Sequence, residues 1–315
     1  MINKKHNFKA LTLALFLFVA CCLKTSAQQD PMYTQYMFNA MSINPGYAGL
    51  KGYPQLSYLS RYQWLGVKGA PKTQYLSYDY RVPRKNVGLG LNMVHYSFGP
   101  TFNTHMFVNY AYHLQLDKSS YLSMGIRAGL SWYKFNLASV NIIKGGDPYF
   151  SQDFQNNWVP NFGLGLYYYT SKYYLGISSP ALLENKFKLN GDKETNIGKE
   201  NRHYFFIAGY IIEITPDLIF KPSTLIRYVN KTPVSMDISA LFLIRDRFWC
   251  GPVWRINKAV GFQSMFRFDP QWTLGYAFDY TMNELAGKQI GTHEIMLTYN
   301  FNKNTLYNIK SPRYF

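Results

Sequence analysis

One stretch of the chain, from Tyr121 to Lys134, limits the choice of fold more than any other. Its apolar residues alternate with small, hydroxyl or charged ones, and the two sets are Leu122, Met124, Ile126, Ala128, Leu130 and Trp132 against Ser123, Gly125, Arg127, Gly129, Ser131 and Tyr133. A period of two predicts a strand with one apolar face. Strands of ordinary sheets have about five or six residues, whereas a tilted strand that crosses a bilayer needs roughly nine to eleven. The length therefore favours a transmembrane strand with lipid outside and a polar lumen inside.

The whole chain is compatible with one barrel. Its 315 residues fit a single closed antiparallel sheet without a second core. No apolar run of about 18 or more residues follows Ala27, which excludes helical spans there, so a spanning chain of this kind must be a barrel. The 28 tyrosines suit the two interfaces of a bilayer. The predicted fold class is all-β, a transmembrane antiparallel β-barrel of about 14 strands with a short N-terminal helical segment.

The N-terminus has the pattern of an export signal. A lysine-rich start is followed by an apolar run over residues 10–20 and a small-residue cleavage site before Gln28. Residues 1–27 are therefore expected to be a signal peptide, which predicts an outer-membrane location. Cleavage and lipidation at Cys21 is the alternative, but the residues before it form a poor lipoprotein box. Cleavage after Ala27 leaves Cys250 as the only cysteine, so no disulfide or cysteine metal site is expected.

The charge balance is basic, with 33 Lys and Arg against 17 Asp and Glu. The cations form no stripe or run, and an exported strand-rich chain does not meet nucleic acid, so no nucleic-acid partner is expected. Phosphates of outer-membrane lipid or lipopolysaccharide are the expected counter-charge.

Residues 28–53 precede the strands and are expected to form an N-terminal helical or plug segment. Apolar residues recur at helical spacing from Tyr33 to Met41, and Asn44-Pro45 should end the helix. The segment is either a frayed leader or a short helix in or under the barrel mouth; the second is favoured because frayed leaders seldom carry so many large apolar side chains. Candidate plug or partner-binding residues here are Tyr36, Asn39, Asn44, Pro45 and Gly49.

Residues 54–302 are expected to form the barrel, and residues 303–315 a tail. Alternation predicts strands near 54–62, 72–82, 86–97, 101–116, 120–135, 157–169, 172–179, 202–214, 217–229, 233–244, 247–256, 259–268, 271–281 and 290–302. Alternate connections are short and rich in turn formers, and the others include long loops near 63–71, 136–156, 180–201 and 282–289. This sorting predicts periplasmic turns and an outer rim of four long loops.

Three further expectations concern particular residues. Tryptophans close to predicted strand ends should form interface girdles, and these are Trp132, Trp158, Trp249, Trp254 and Trp272. Pro222 and Pro252 fall inside strands, so a bulge is predicted at each. The glycines at 88–90 and 163–165 should face a crowded lumen and not bind phosphate, because no strand-to-helix junction follows them.

Enzymatic activity, cofactors and metals are not expected. The five histidines after the signal are scattered over different strands, namely His95, His105, His113, His203 and His293. No spacing joins a serine, a histidine and an acid; a hydrolase would need a serine or aspartate within hydrogen-bond reach of one of these histidines near the outer rim. The loop acids Asp147, Asp153 and Glu184 lack regular calcium-ligand spacing.

Two motifs at the ends of the chain carry a resemblance. The sequence QDPMYTQYMFN at 29–39, followed by INPGYAG at 43–49, resembles the opening of the PorP/SprF family of outer-membrane proteins from the type IX secretion and gliding systems of Bacteroidota. The ending SPRYF at 311–315 resembles that family's C-terminal tail. Gly46 departs from the pattern, where alanine is expected. The resemblance implies a non-enzymatic barrel that serves secretion with other type IX components and holds or helps to export a surface protein through its C-terminal domain.

Two functions from different classes remain open. One is a docking barrel for such a partner; the other is a passive channel or a transporter of hydrophobic ligands. They differ in the lumen, which a docking barrel can fill with the 31–44 segment and with Phe107, Tyr133, Tyr167 and Tyr169. Other candidate partner-binding residues are Asp147 and Trp158, for the loop at 136–156, and Arg313 and Phe315 in the tail, which seal the last strand against the first or touch periplasmic machinery.

Overall fold

The computed structural model describes residues 32–136, 154–155, 158–188, 196–282 and 286–301. Fourteen antiparallel strands close into one barrel, because each pairs with the next along the chain and the last pairs with the first. They are β1 (Gln55–Tyr62), β2 (Lys72–Arg81), β3 (Val87–Phe98), β4 (Thr101–Gln115), β5 (Tyr121–Phe135), β6 (Val159–Tyr169), β7 (Tyr173–Ser179), β8 (His203–Tyr210, resumed as Ile212–Thr215), β9 (Leu218–Val229), β10 (Ser235–Ile244), β11 (Phe248–Arg255), β12 (Ala259–Arg267), β13 (Trp272–Thr281) and β14 (Thr292–Asn300). The predicted fold class and strand number are confirmed.

The strands expose one set of side chains and bury the other. In β5, Ser123 and Arg127 are buried inside the barrel, whereas Ile126 on the opposite parity is 56% exposed. The same alternation runs round the barrel and leaves a continuous apolar outer surface. Such a surface is stable against lipid, and the closed ladders of the wall pair the backbone groups of the strands with one another. The predicted facing of the strands is confirmed.

The two ends of the barrel differ in the length of their connections. At one end, the short-turn end, at most five residues join successive strands. The other end, the long-loop end, carries the longer connections at 63–71, 136–158, 180–202 and 282–291. Two short pairings add to it, one between Phe154–Gln155 and β5 and one between Lys186–Lys188 and Asn196–Lys199. The predicted sorting of the loops is confirmed.

Four of the five tryptophans expected in the girdles face outward, and one does not. Trp132, Trp158, Trp254 and Trp272 lie on the outer surface near strand ends. The prediction for Trp249 is wrong: its side chain is only 9% exposed and meets the ring of Phe38 edge-on, with centroids 6.0 Å apart. Trp249 shares its parity with Val253, which faces the lumen, so position along the strand was a poorer guide than alternation.

The bulges predicted at Pro222 and Pro252 do not form. Pro222 pairs with Ala240 and Pro252 with Phe262, both in unbroken register. On the other side of β9, the pairing with β8 is interrupted at Pro222, opposite the break in β8 at Ile211. On the other side of β11, the pairing with β10 is interrupted at Pro252 and resumes in the same register. Each proline therefore lacks its hydrogen bond on the side where the ladder is interrupted, and the intact ladder on the other side keeps the strand in place.

The segment before β1 fills the lumen, and residues 32–54 are called the plug. Its Thr34 lies beside Asp279 and Glu294, close to the long-loop end, and its Gly49 lies beside Asp79, close to the short-turn end. The plug therefore descends through the length of the barrel before it enters β1. Among the described residues, no helix is long and apolar enough to cross a membrane.

The plug does not form the regular helix that the apolar spacing predicts. Its described residues form turns and two 3₁₀ helices, Ala40–Ser42 and Pro45–Tyr47. The reason lies in its surroundings: polar side chains of the wall bond its amides and carbonyls, so the backbone is satisfied without a helical ladder. Residues 1–27 and 303–315, expected to be signal and tail, lie outside the described residues.

Candidate functional site

Glycines in the barrel wall let the plug backbone approach closely. A Cβ on Gly88 would lie 1.9 Å from the carbonyl oxygen of Ala48, and one on Gly165 would lie 2.1 Å from Oδ1 of Asn44. Gly49 has φ of +72°, and its own Cβ would lie 2.4 Å from Cα of Gly88. At Gly88 and Gly49 the nearest atoms are backbone, so no side chain larger than hydrogen fits there without a backbone shift, whereas at Gly165 the side chain of Asn44 would have to move. The glycines at 88–90 and Gly165 therefore do face a crowded lumen, as predicted.

Wall side chains bind the plug backbone along its length. Three plug carbonyl oxygens accept hydrogen bonds from wall side chains. Arg127 Nη2 donates to the Met41 oxygen at 2.6 Å, Ser178 Oγ to the Ile43 oxygen at 2.8 Å, and Ser123 Oγ to the Gly46 oxygen at 2.6 Å. The amides donate, at 2.5 Å from Gly49 to Asp79 and at 3.0 and 2.8 Å from Thr34 and Gln35 to Glu294. Buried backbone groups need such partners, so the wall is chemically matched to this segment.

A polar chain crosses the wall beneath the middle of the plug. Nε of Arg127 donates to Asn109 Oδ1 at 2.8 Å, Asn109 Nδ2 donates to Asn92 Oδ1 at 2.8 Å, and Asn92 Nδ2 donates to Tyr75 Oη at 2.7 Å. The Arg127 guanidinium also lies 5.0 Å from the centre of the Phe107 ring. Carbonyl dipoles and the ring face stabilise its buried charge. The chain thus ties four strands, β2 to β5, to the plug.

A second cluster, the seam cluster, joins the first and last strands to the plug and consists of Arg61, Asp279, Glu294, Thr34 and Gln35. Arg61 Nη1 lies 2.9 Å from Glu294 Oε2, and Nη2 lies 2.9 Å from Asp279 Oδ2. Thr34 Oγ1 donates to Asp279 Oδ2 at 2.6 Å. Arg61 is 3% exposed and Glu294 is 0% exposed. Since Arg61 stands directly opposite Glu294 in the β1–β14 ladder, the cluster spans the closure of the barrel.

The neighbouring carboxylate of Asp237 extends this cluster. Arg255 Nη2 lies 3.0 Å from Asp237 Oδ2, and its Nη1 lies 3.8 Å from Asp279 Oδ2. None of the residues of the seam cluster or of the Arg127 chain is among the site residues predicted from the sequence. The available signal was a charge at lumen parity within a strand, as at Arg61, Arg127 and Glu294, since an inward charge needs a partner.

Aromatic side chains complete the filling of the lumen. Phe107, Tyr133, Tyr167 and Tyr169 are all at most 9% exposed, as the filled-lumen hypothesis predicts. Tyr167 meets the plug residue Tyr47 edge-on at 5.6 Å between ring centroids. The described lumen is therefore packed, not open.

The candidate site residues of the plug are all enclosed. Tyr36, Asn39, Asn44, Pro45 and Gly49 are buried, and Tyr36 is only 1% exposed. A partner outside the barrel does not reach them while the plug is seated. Trp158, 47% exposed at the long-loop end, is accessible, and Asp147, Arg313 and Phe315 lie outside the described residues. A role of any of these residues in partner binding stays a prediction.

The side chain of Asn44 binds both the barrel wall and the plug itself. Its Nδ2 donates to the carbonyl of Leu166 at 3.0 Å, and its Oδ1 accepts from the amide of Gly46 at 2.8 Å. We expect Asn44→Ala to lower the free energy of unfolding by about 1–2 kcal/mol, because a cap and a wall contact are lost together. Urea unfolding of the refolded barrel measures this. Asn86→Ala, in an exposed turn, is the control, and equal midpoints for the two variants would contradict the prediction.

Glu200, near the end of the 180–202 loop, bonds this loop to side chains that face the lumen. Asn185 Nδ2 donates to its carboxylate at 2.7 Å, Asn161 Nδ2 donates at 3.0 Å, and the Tyr133 hydroxyl donates to it as well. Asn161 and Tyr133 are lumen residues, so the end of the 180–202 loop is drawn over the mouth. Glu184 in the same loop pairs with Lys199 at 3.2 Å, which holds the pKa of that carboxyl below its usual value.

The histidines do not make a recognisable catalytic site. His105 Nδ1 lies 2.7 Å from Ser131 Oγ, which meets the distance requirement for a hydrolase. However, Ser131 is only 1% exposed and faces the packed lumen, so a substrate has no path to its hydroxyl. His113 instead binds the plug, with Nε2 2.9 Å from the Ala48 carbonyl. Among the described residues, no three His, Cys, Asp or Glu side chains meet in a way that could hold a metal.

One known family of membrane proteins matches most of the chain. The family described as type IX secretion system membrane protein PorP/SprF matches residues 25–299. No curated protein matches the chain significantly. Among solved structures, the chain is similar to the Acinetobacter baumannii outer-membrane protein Omp33 (TM-score 0.46, 6% identity, 79% of this chain and 98% of that one). It is also similar to a mutant of the monoaromatic hydrocarbon channel TodX (0.45, 11%, 84% and 94%) and to the KdgM porin (0.36, 9%, 79% and 99%). These similarities do not extend to function.

Proposed function

Because the chain belongs to the PorP/SprF family of type IX secretion system membrane proteins, we propose that this outer-membrane component docks a partner surface protein and helps to export or anchor it. The partner would carry a type IX C-terminal domain and would meet the barrel at its extracellular loops, beside other type IX components. The observation that carries the proposal is the filled lumen, whose plug is bonded to the wall from Thr34 to Gly49. A docking barrel functions without an open pore.

The long-loop end offers a surface for such a partner. Short turns of outer-membrane barrels face the periplasm and long loops face outward, so this end would be extracellular. Here the loops at 63–71 and 282–291 are tied together, with the amide of Leu65 2.8 Å from the carbonyl of Gly291 and the amide of Ile290 2.8 Å from the carbonyl of Leu65. Leu65 and Ile290 are 42% and 67% exposed. An ordered apolar patch on an outer loop is suited to protein contact.

The same rim carries exposed cations beside the apolar patch. Lys68, Lys72 and Lys288 are exposed there. In an outer leaflet rich in phosphate groups, these ammonium groups would lower the free energy of association with lipopolysaccharide. Lipopolysaccharide is therefore the second proposed partner, and it would surround the docking patch instead of competing for it.

The test is a comparison of surface and secreted proteins. The gene is deleted in its host, and the strain is complemented with the wild type or with the double variant Leu65→Asp/Ile290→Asp. We expect deletion to remove one or a few proteins that share a C-terminal domain from the surface proteome measured by mass spectrometry. The double variant should fail to restore them, whereas Val234→Asp, on another exposed loop of the same end, should restore them. An unchanged proteome with altered uptake of small solutes would contradict docking.

The alternative function is a passive channel or a transporter of hydrophobic ligands. It requires the plug to leave the lumen or to rearrange within it, because the described lumen is packed with the plug and with aromatic side chains. It also predicts ion conductance by the wild-type barrel in a planar bilayer, which the docking function does not.

A further inference from the structure

A small cavity lies between the plug and the wall at the short-turn end. Its volume is about 80 Å³, and its lining combines Lys51 of the plug, Arg247 of a turn and Arg267 at the end of β12. Asp246 is the only acidic residue of the lining. The apolar side of the cavity is formed by inward-facing residues such as Trp249 and Met265. The cations therefore face the interior of the barrel and not the surrounding lipid.

Two of these cations donate hydrogen bonds to neutral oxygen atoms. Lys51 Nζ donates to the Phe38 carbonyl at 3.4 Å and to Gln55 Oε1. Arg267 Nη1 donates to the Asp246 carbonyl at 3.3 Å, while its Nε is buried without a hydrogen-bond partner. Like charges brought together in a partly enclosed space repel one another unless an anion lies between them. This arrangement favours an anionic occupant.

The size and polarity of the cavity limit what that occupant is. The cavity volume of 80 Å³ is several times the roughly 10–15 Å³ that one water molecule requires on the same measure, so one compact charged group fits. Thr273, Thr298 and Asn300 line the same space and make it polar. Arginine and lysine with hydroxyl donors are the groups that recognise carboxylate and phosphate oxygens.

We propose that this cavity is a binding site for one carboxylate or phosphate-type group that enters from the periplasmic side. The group belongs either to a dissolved anion or to the free carboxyl end of a polypeptide. Entry is from the short-turn end, since Asp246 and Arg247 lie in the turn that borders the cavity. The site does not depend on the docking function, because its residues lie at the opposite end of the barrel from the extracellular loops.

Binding is measured on the full-length barrel in detergent, with sulfate as the probe. We expect sodium sulfate, but not sodium chloride at the same ionic strength, to raise the unfolding temperature saturably. Lys51→Gln and Arg267→Gln should each weaken sulfate binding at least tenfold, and Lys85→Gln, an exposed lysine at the same end, should leave it unchanged. Lys51→Arg should retain binding, which separates loss of charge from misfolding. Equal effects of sulfate and chloride, or full binding by Lys51→Gln, would overturn the proposal.

A short peptide with a free C-terminus, compared with its C-terminal amide, distinguishes the two sources of the anion. If the free peptide competes with sulfate and the amide does not, the site accepts a polypeptide end; if neither competes, the site is restricted to dissolved anions. Both outcomes keep the anion site, and only the sulfate result decides whether it exists.

The binding should also depend on pH in one direction. Burial lowers the pKa of the Lys51 ammonium to about 8, with Asp79 opposing the shift and Arg267 reinforcing it. Below that pH Lys51 is charged, so sulfate affinity should be highest there and should fall as pH rises through about 8 and above. The other charged or titratable groups near Lys51 are Lys221, Tyr53, Arg247 and Asp246. Lys51→Arg stays charged and should abolish the decline, and an unchanged pH profile in that variant would contradict the role of Lys51.

Discussion

Replacement of Arg61 by methionine is expected to lower the free energy of unfolding by about 3–5 kcal/mol. The guanidinium is bonded to Glu294 and Asp279, each at 2.9 Å, and all three side chains are almost fully buried. Removal of the cation leaves two carboxylates without their main counter-charge in a packed lumen. It also loosens the plug, because Thr34 bonds the same carboxylates.

Equilibrium urea unfolding in lipid vesicles measures the loss, and the electrophoretic shift between folded and heated barrel gives a second readout. Lys118→Met, in an exposed turn, is the matched control and should change stability by a few tenths of a kcal/mol at most. The double variant Arg61→Met/Glu294→Met should lose less than the sum of the single variants, because fewer charges stay unpaired. If Arg61→Met and Lys118→Met unfold alike, the seam cluster does not stabilise the barrel.

The second large effect is expected from Gly88→Val, which should convert a closed barrel into a conducting one. A Cβ at this position would lie 1.9 Å from the Ala48 carbonyl oxygen and 2.8 Å from the Gly49 amide nitrogen. Both obstacles are backbone, so the plug must leave the wall and not merely shift a side chain. A barrel of fourteen strands is wide enough for an aqueous pathway once its lumen is emptied. Single-channel recording in planar bilayers measures the change.

The controls for this prediction are graded. Leu89→Val is the neighbouring residue, faces lipid and should conduct no more than the wild type. Gly90→Ala should have an intermediate effect, because the atom in its way is the flexible Sδ of Met41 at 2.3 Å. A folded Gly88→Val barrel with the conductance of the wild type would show that the plug does not close the pore.

The barrel could be predicted from the sequence because lipid imposes a strict rule on every strand. Outward residues such as Ile126 must be apolar and inward residues such as Arg127 need not be, so the pattern repeats without tertiary knowledge. The wrong predictions come from two local rules, one on tryptophans near strand ends and one on prolines within strands, where the alternation and pairing of the strands decide instead. The position of Trp249 near a strand end wrongly predicts an outward side chain, and Pro222 and Pro252 wrongly predict bulges, which the pairing on their other side makes unnecessary.

The site was less predictable for a different reason. Arg61 and Glu294 lie 233 residues apart in sequence, and only the register of the closed barrel makes them neighbours. The plug conformation likewise depends on donors supplied by distant strands, such as Ser178 for the carbonyl of Ile43. A helix and an irregular buried segment share the same apolar spacing when every side is covered, so periodicity does not distinguish them.

The seam cluster has a consequence for the order of assembly. The plug is synthesised before any strand. The residues that bond it near the long-loop end lie on the first strand, β1, and on the last two, β13 and β14. A ring that closed empty would bury Glu294 and Asp279 without the donors of Thr34 and Gln35. Closure of the barrel is therefore most favourable when the plug is already in place. The plug would then act as a template for the barrel, and the barrel would close only with its lumen filled.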